Sequence, residues 1–526
     1  MTRAIVRFGV FLAVLCMAAP IFGASFSSTT SGNWSSAATW GGAGVPGAGD
    51  TATVNGGHVV TLDISVTVAT LTLSGGQING SQSLTVTTVF NWAGGTLAGS
   101  GSTTAAAVNM TSAGTIDTRS FSNSGAFNIS GGNYFYMQNN ATLTNSGTID
   151  FQGDGGGVFL NSALGSVAIT NTGTIKKSGL TGSTTINVPI VAQSGSQFLV
   201  QSGTFNVAAL TSTGGTWSAS SGATLTFNTN DTRTFDATST ISGAGTVQFA
   251  AGTDTVNATY NVTGATKNSG ATTTIGSITA TGDITITGGT LTLNSASAIS
   301  VPTLSMQGGT LSGTAPITLT GTAMTWSGGT IAGTGLFTIP NTTTITFAGY
   351  VYFDTRAFSN AGVMSYTSNY YSYFYNSATL ANSGTVNFQG DGGFYIASGS
   401  PSVTNSGTIE KTAGTGTGGI QVPLTLQSGS QLLVQSGTLQ LGNVTATGAT
   451  LSVSSGATAQ FYYTTTSSFD AASTISGAGT VQFNAGTNSI SAAYNITGAT
   501  NANGGTTTIG TNTVTSLGNI TVSSAR

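Results

Sequence analysis

The chain has 526 residues, 77 of them glycine, and only 4% of it is charged: 10 Lys and Arg, 13 Asp and Glu, one His and one Cys. So few His and Cys exclude a zinc site, so few basic residues argue against nucleic acid, whose phosphates need them, and 38% hydrophobic residues at a net charge of −3 argue against disorder. Thr, Ser, Val and Gly in place of Glu, Lys and Arg favour strands and tight turns over helices.

Arg3 and Arg7 precede an apolar run from Phe8 to Ala19, and Gly23 and Ala24 offer a cleavage point. This reads as a signal peptide over residues 1–24, since the run is shorter than the roughly 20 apolar residues of a membrane span. Its removal leaves 8 basic and 13 acidic residues and no cysteine, because Cys16 lies in the leader. The expectation is a secreted or cell-surface chain without disulfides that is not an integral membrane protein.

Residues 25–65 are expected to form an N-terminal cap segment. They hold Trp34 and Trp40, the turn Pro46-Gly-Ala-Gly-Asp50, and Gly57-His-Val-Val-Thr-Leu-Asp63. His58 reads as a turn residue, with no nucleophile motif near it for triad chemistry.

From residue 66 onward one passage is written twice, at a nearly constant offset. Trp92-Ala-Gly-Gly-Thr returns as Trp326-Ser-Gly-Gly-Thr, Asp117-Thr-Arg as Asp354-Thr-Arg, and Ile241-Ser-Gly-Ala-Gly as Ile475-Ser-Gly-Ala-Gly. The expected units are 66–298 and 299–526, running on without a linker. Alternation as in Thr70-Leu-Thr-Leu73 and Thr290-Leu-Thr-Leu293 gives strands with one buried face. Asn-x-Gly followed by a β run recurs at nearly even steps, at Asn123, Asn145 and Asn171, then at Asn360, Asn382 and Asn405. That interval suits one turn of a β-helix. The predicted fold is all-β: an elongated right-handed parallel β-helix, a β-solenoid of two tandem long repeats. An array of β-sandwiches is the alternative.

The segment from Trp34 to Asp63 resembles the N-terminal part of bacterial secreted β-strand-repeat proteins and, loosely, G8-type extracellular domains. The Asn-Ser-Gly-Thr-Ile rungs resemble those of autotransporter and haemagglutinin-like surface proteins. The resemblance implies an exported, adhesin-like solenoid.

Candidate chemistry is sparse. Asp117 with Arg119, Asp231 with Arg233 and Asp354 with Arg356 stand two residues apart, which in a strand puts them on one face as local ion pairs at the corners of turns, the alternative being a face that holds an acidic sugar or calcium. Asp154 and Asp391, in Gln-Gly-Asp-Gly-Gly, read as turn residues without the ligand set of a calcium site. Asp150 and Asp154 could form a hydrolytic carboxylate pair in the first passage only, because Asn387 replaces Asp150 in the second. Tyr134 and Tyr136, then Tyr370, Tyr371, Tyr373 and Tyr375, are candidate glycan contacts if outward and an internal ladder if inward.

No catalytic, metal or cofactor site is expected. The favoured function is a non-enzymatic structural or adhesive surface protein that meets an extracellular glycan or a surface protein. A carbohydrate-binding or polysaccharide-degrading β-helix is the alternative, and ice binding through threonine arrays is a third idea. The second passage runs almost to Arg526 with no capping motif, so either a longer protein or end-to-end self-association is expected.

Overall fold

The computed structural model describes residues 23–161, 165–510 and 514–523. Of the expected leader, residues 1–22 lie outside the described residues. The fold follows from alternation. In strand after strand the Val, Leu, Ile or Phe positions are buried and the Thr or Ser between them are not, as in Thr290–Leu293, Thr344–Phe347 and Thr450–Val453. Fully burying each such apolar side chain is worth about 1.5–3 kcal/mol. The only helical element among the described residues is a 3-10 turn, Ala37–Trp40, and no helix among them is long and apolar enough to cross a membrane.

Away from the ends of the sheets, each strand pairs in parallel with the strand one turn before and the strand one turn after. Val351–Asp354 pairs with Tyr371–Tyr375, which pairs with Gly393–Ile396. The chain winds in this way as a β-solenoid of about 22 turns. A sandwich array would have paired neighbouring strands antiparallel. The winding passes residue 299 without a break: Ile284–Ile286 registers with Leu304–Met306, and Thr290–Thr292 with Thr310–Ser312. Residues 25–65 are already coil, since Ser25–Ser27 pairs with Thr51–Thr53 and Thr51–Asn55 with Thr70–Ser74. Trp34 and Trp40 pack edge-on at 4.8 Å in that first turn. Their indole N–H groups donate to the carbonyls of Pro46 and Trp34.

The Asn-x-Gly motif has a plain physical basis. Asn145 Nδ2 donates to the carbonyl of Gly147 two residues on and to Oδ1 of Asn171 one turn up, while Asn145 Oδ1 accepts from Asn123. Asn360, Asn382 and Asn405 form the same ladder at 2.6 Å per step. Glycine is required because successive turns touch there: a Cβ on Gly147 would lie 2.1 Å from the carbonyl oxygen of Gly125.

Candidate functional site

The tyrosines of the second passage stand on three adjacent turns. In Val351–Asp354, Tyr371–Tyr375 and Gly393–Ile396 the inward positions are Val351, Phe353, Ser372, Phe374 and Phe394, all buried. Alternation then turns Tyr352, Tyr371, Tyr373, Tyr375 and Tyr395 outward. Parallel strands lie about 4.8 Å apart, and register places Tyr352 beside Tyr373 and Tyr373 beside Tyr395. Their ring centroids are 5.7 and 5.9 Å apart. Tyr375 lies 6.0 Å from Tyr352, and Tyr371 lies 5.6 Å from Tyr395. Tyr350 and Tyr370, just ahead of their strands, meet edge-on at 5.2 Å, and Tyr350 also approaches Tyr373. Seven tyrosines thus form one outward network. A separate ladder of phenylalanines runs inside the same strands, with Phe353 and Phe374 stacked at 4.6 Å.

Partial burial, reinforced by neighbouring phenols, pushes the hydroxyls of Tyr371, Tyr373 and Tyr463 up from their ordinary value. They are therefore neutral across the physiological range. At the margin of the face a cleft of about 290 Å³ is lined by Thr330, Tyr352, Asp354 and Tyr375. The first passage carries much less: Tyr134 and Tyr136 stack at 5.8 Å, with Phe159 beside Tyr134. The six tyrosines named from sequence thus divide into a small patch of two and a larger face of four. That face is completed by Tyr350, Tyr352 and Tyr395. Tyr395 escapes a reading of the sequence because it follows Tyr373 by one full turn and so stands isolated along the chain.

The expected Asp-Thr-Arg ion pairs do not form. Thr118 and Thr355 adopt left-handed φ values of 62° and 61°, which breaks the strand alternation that would have kept the flanking side chains together. Arg119 instead turns into the core, where it is fully buried. It donates to Thr103 Oγ1 and to the carbonyls of Gly80, Ala98, Gln82 and Ser102. Arg356 does likewise with the carbonyls of Ala332, Ala315 and Gly313. Burial pulls both guanidinium groups down to about 10, which leaves them charged at neutral pH. Asp117 stays at the surface and accepts from Thr118, Gln138 and Asn139. Arg233 pairs not with Asp231, which precedes the strand Thr232–Phe235, but with Asp254 one turn up. That contact is 2.6 Å long, and both side chains are fully buried.

Asp154 and Asp391 do more than shape a turn. Each reaches a lysine whose side chain is entirely buried, Lys177 and Lys411, at 2.7 Å. Each also accepts a backbone N–H, from Gly182 and Gly416. The signal was in the sequence: Lys177 and Lys411 follow the inward Ile175 and Ile409 by two residues and so share their face. Asp150 is held separately by Lys176 and by the Ser178 hydroxyl. His58 sits at a turn with Nδ1 2.8 Å from Ser28 Oγ, beside a shallow depression floored by glycines 57, 75, 76 and 95. Among the described residues no three His, Cys, Asp or Glu side chains group as metal ligands.

No protein-family model, curated protein or solved structure matches the chain.

Proposed function

We propose that the chain is an exported, non-enzymatic surface protein whose solenoid presents a tyrosine face to an extracellular glycan. The observation that carries this reading is the network of seven outward tyrosines from Tyr350 to Tyr395. Clustered aromatic rings edged with hydroxyls complement the apolar face and polar rim of a pyranose ring. Parallel strands fix these rings on a rigid frame, so little side-chain freedom is lost on binding. The Arg3, Arg7 and Phe8–Ala19 leader pattern supports export. A scaffold is favoured over a hydrolase because Asp150, Asp154 and Asp391 are each tied to a lysine.

The test is a glycan screen with residues 25–526, followed by titration of the best ligand into a variant carrying Tyr352→Ala, Tyr373→Ala and Tyr395→Ala. Aromatic contacts worth about 0.5–1.5 kcal/mol each predict a loss of about 2- to 10-fold per ring. A screen without ligands, or a ligand bound equally by the triple variant, refutes the reading.

A further inference from the structure

The cleft at the margin of the tyrosine face contains a carboxylate, Asp354, whose surroundings differ from those of its counterpart in the first passage, Asp117. Asp117 has both oxygens engaged: Oδ1 accepts from Thr118 Oγ1 and Asn139 Nδ2, and Oδ2 accepts from Gln138 Nε2 at 3.0 Å. Asp354 keeps the first two partners as Thr355 Oγ1 and Asn376 Nδ2, both on Oδ1. The residue in register with Asp117 is Gln138, whereas the residue in register with Asp354 is Tyr375. Among the described residues Asp354 Oδ2 therefore has no protein donor, and no Lys or Arg pairs with Asp354. Arg356, two residues on, is committed to carbonyls in the core.

The same exchange that frees the oxygen builds walls beside it. Tyr375 replaces Gln138 and Tyr352 replaces Thr115, and both line the cleft, their rings 6.0 Å apart and inclined at 60°. A carboxylate oxygen with open lone pairs in a cleft that two tyrosine rings also line attracts an organic cation through both charge and the ring quadrupoles. A hard metal ion would need six or more oxygen ligands, and the side chains lining the cleft carry one carboxylate and three hydroxyls. Its volume of about 290 Å³ is at the small end for ligand sites and suits one substituted sugar ring.

We infer that this cleft receives a primary ammonium group, and that the glycan on the tyrosine face is a hexosamine polymer with free amino groups. The inference rests on the glycan-binding reading above and narrows it. A sugar polymer is favoured over a lysine side chain of a protein partner because register carries the tyrosine row on from Tyr352 in the cleft to Tyr373 and Tyr395 on the next two turns, enough rings to meet successive sugar units.

The experiment is calorimetric titration of residues 25–526 with glucosamine hexamer and with N-acetylglucosamine hexamer. It is run at about pH 5.5, below the ordinary range of amino groups and above that of carboxylates. The expected result is that the glucosamine hexamer binds about tenfold more tightly, with a preference that weakens as salt is added. Asp354→Asn, which keeps the shape of the side chain, should bring the ratio of the two affinities close to one. Tyr375→Gln, which supplies Asp354 with the partner that Asp117 has, should do the same by a different route. Circular dichroism checks that both variants fold.

If both hexamers bind with a ratio near one in the unmodified chain, the ammonium cleft is refuted and the glycan-binding reading stands. A preference that persists in both variants refutes it as well, because the ammonium then sits elsewhere. Binding of a lysine-rich peptide but of neither hexamer overturns it in favour of a protein partner. Binding of neither hexamer together with an empty glycan screen refutes the cleft and the underlying reading at once.

Discussion

Replacing Arg233 by Met would leave Asp254 as a buried carboxylate with no cation. Asp254 is held by Arg233 Nε at 2.6 Å and by the Thr273 hydroxyl at 3.3 Å, and both charged side chains are fully buried. Removing one partner of such a pair costs about 3–5 kcal/mol, mostly because the remaining charge is stranded, whereas replacing both by apolar groups is close to neutral. Arg233→Met should therefore be severe, and Arg233→Met with Asp254→Val should recover most of the loss. The carbonyls of Thr229 and Ala251, which Arg233 also contacts, are only partly buried and can turn to water. In a solenoid each turn leans chiefly on its neighbours, so the damage should be local. Amide hydrogen exchange read by mass spectrometry should show residues 225–275 opening about 10²- to 10³-fold more readily, at about 1.4 kcal/mol per decade, with distant turns unchanged. The sign of the pH effect follows from burial, which pushes Asp254 up while Arg233 pulls it down. Without the arginine the folded-state pKa rises further above the unfolded value. The carboxyl is then tolerated below about 3.9 and becomes costly as pH rises through its folded value, so Arg233→Met should be milder at about pH 4 than at pH 7. A double variant no better than the single one, or exchange that rises equally along the whole chain, would refute this account.

Asn145→Ala should destabilise more than Asn123→Ala. Asn145 both donates up the ladder and accepts from below, whereas Asn123 Oδ1 has no partner to lose; with about 1–3 kcal/mol for each buried group left unpaired, equal losses in denaturant melts would contradict the ladder. Asp236 is held down to about 2 by the Ser239 hydroxyl and by the backbone N–H groups of Gly214 and Ser239. Its folded pKa is depressed, so its contribution is present above the unfolded value of about 3.9 and lost as pH falls through about 2. Asp236→Asn should accordingly lower the melting temperature at pH 5 and leave it unchanged near pH 2, and a deficit of the same size at both would argue against the carboxylate's role.

The winding was legible in the chain because it depends on local rules that repeat. Alternation in stretches such as Thr290–Leu293 set the inward face, and the nearly even Asn-x-Gly steps from Asn123 to Asn171 and from Asn360 to Asn405 marked the turns. The Asp-Thr-Arg contacts were not legible, because pairing those residues assumes extended backbone through Thr118 and Thr355, and a left-handed threonine leaves no mark in composition or spacing. The buried lysines were hidden for a different reason. Burying a charge is so costly that Lys177 on an inward position is hard to accept until its carboxylate is located, and Asp154 lies one turn below, distant along the chain.

The tyrosine face was only partly legible, yet it is the part of the molecule the fold least explains. Inward positions answer to packing, and turn glycines answer to the close approach of successive coils. Outward positions answer to neither. At the places matching Tyr350, Tyr352, Tyr370, Tyr375 and Tyr395 the first passage has Ala113, Thr115, Asn133, Gln138 and Phe159, and the strands there pair in the same parallel manner. The solenoid therefore does not need tyrosine at these sites. Clustered exposed aromatics also add to the adhesive surface a protein must otherwise limit. Side chains that contribute little to folding, carry that risk, and appear in one passage but not in its near-copy are best explained by what they touch outside the chain, and five added aromatic hydroxyls beside one unpaired carboxylate narrow what that can be.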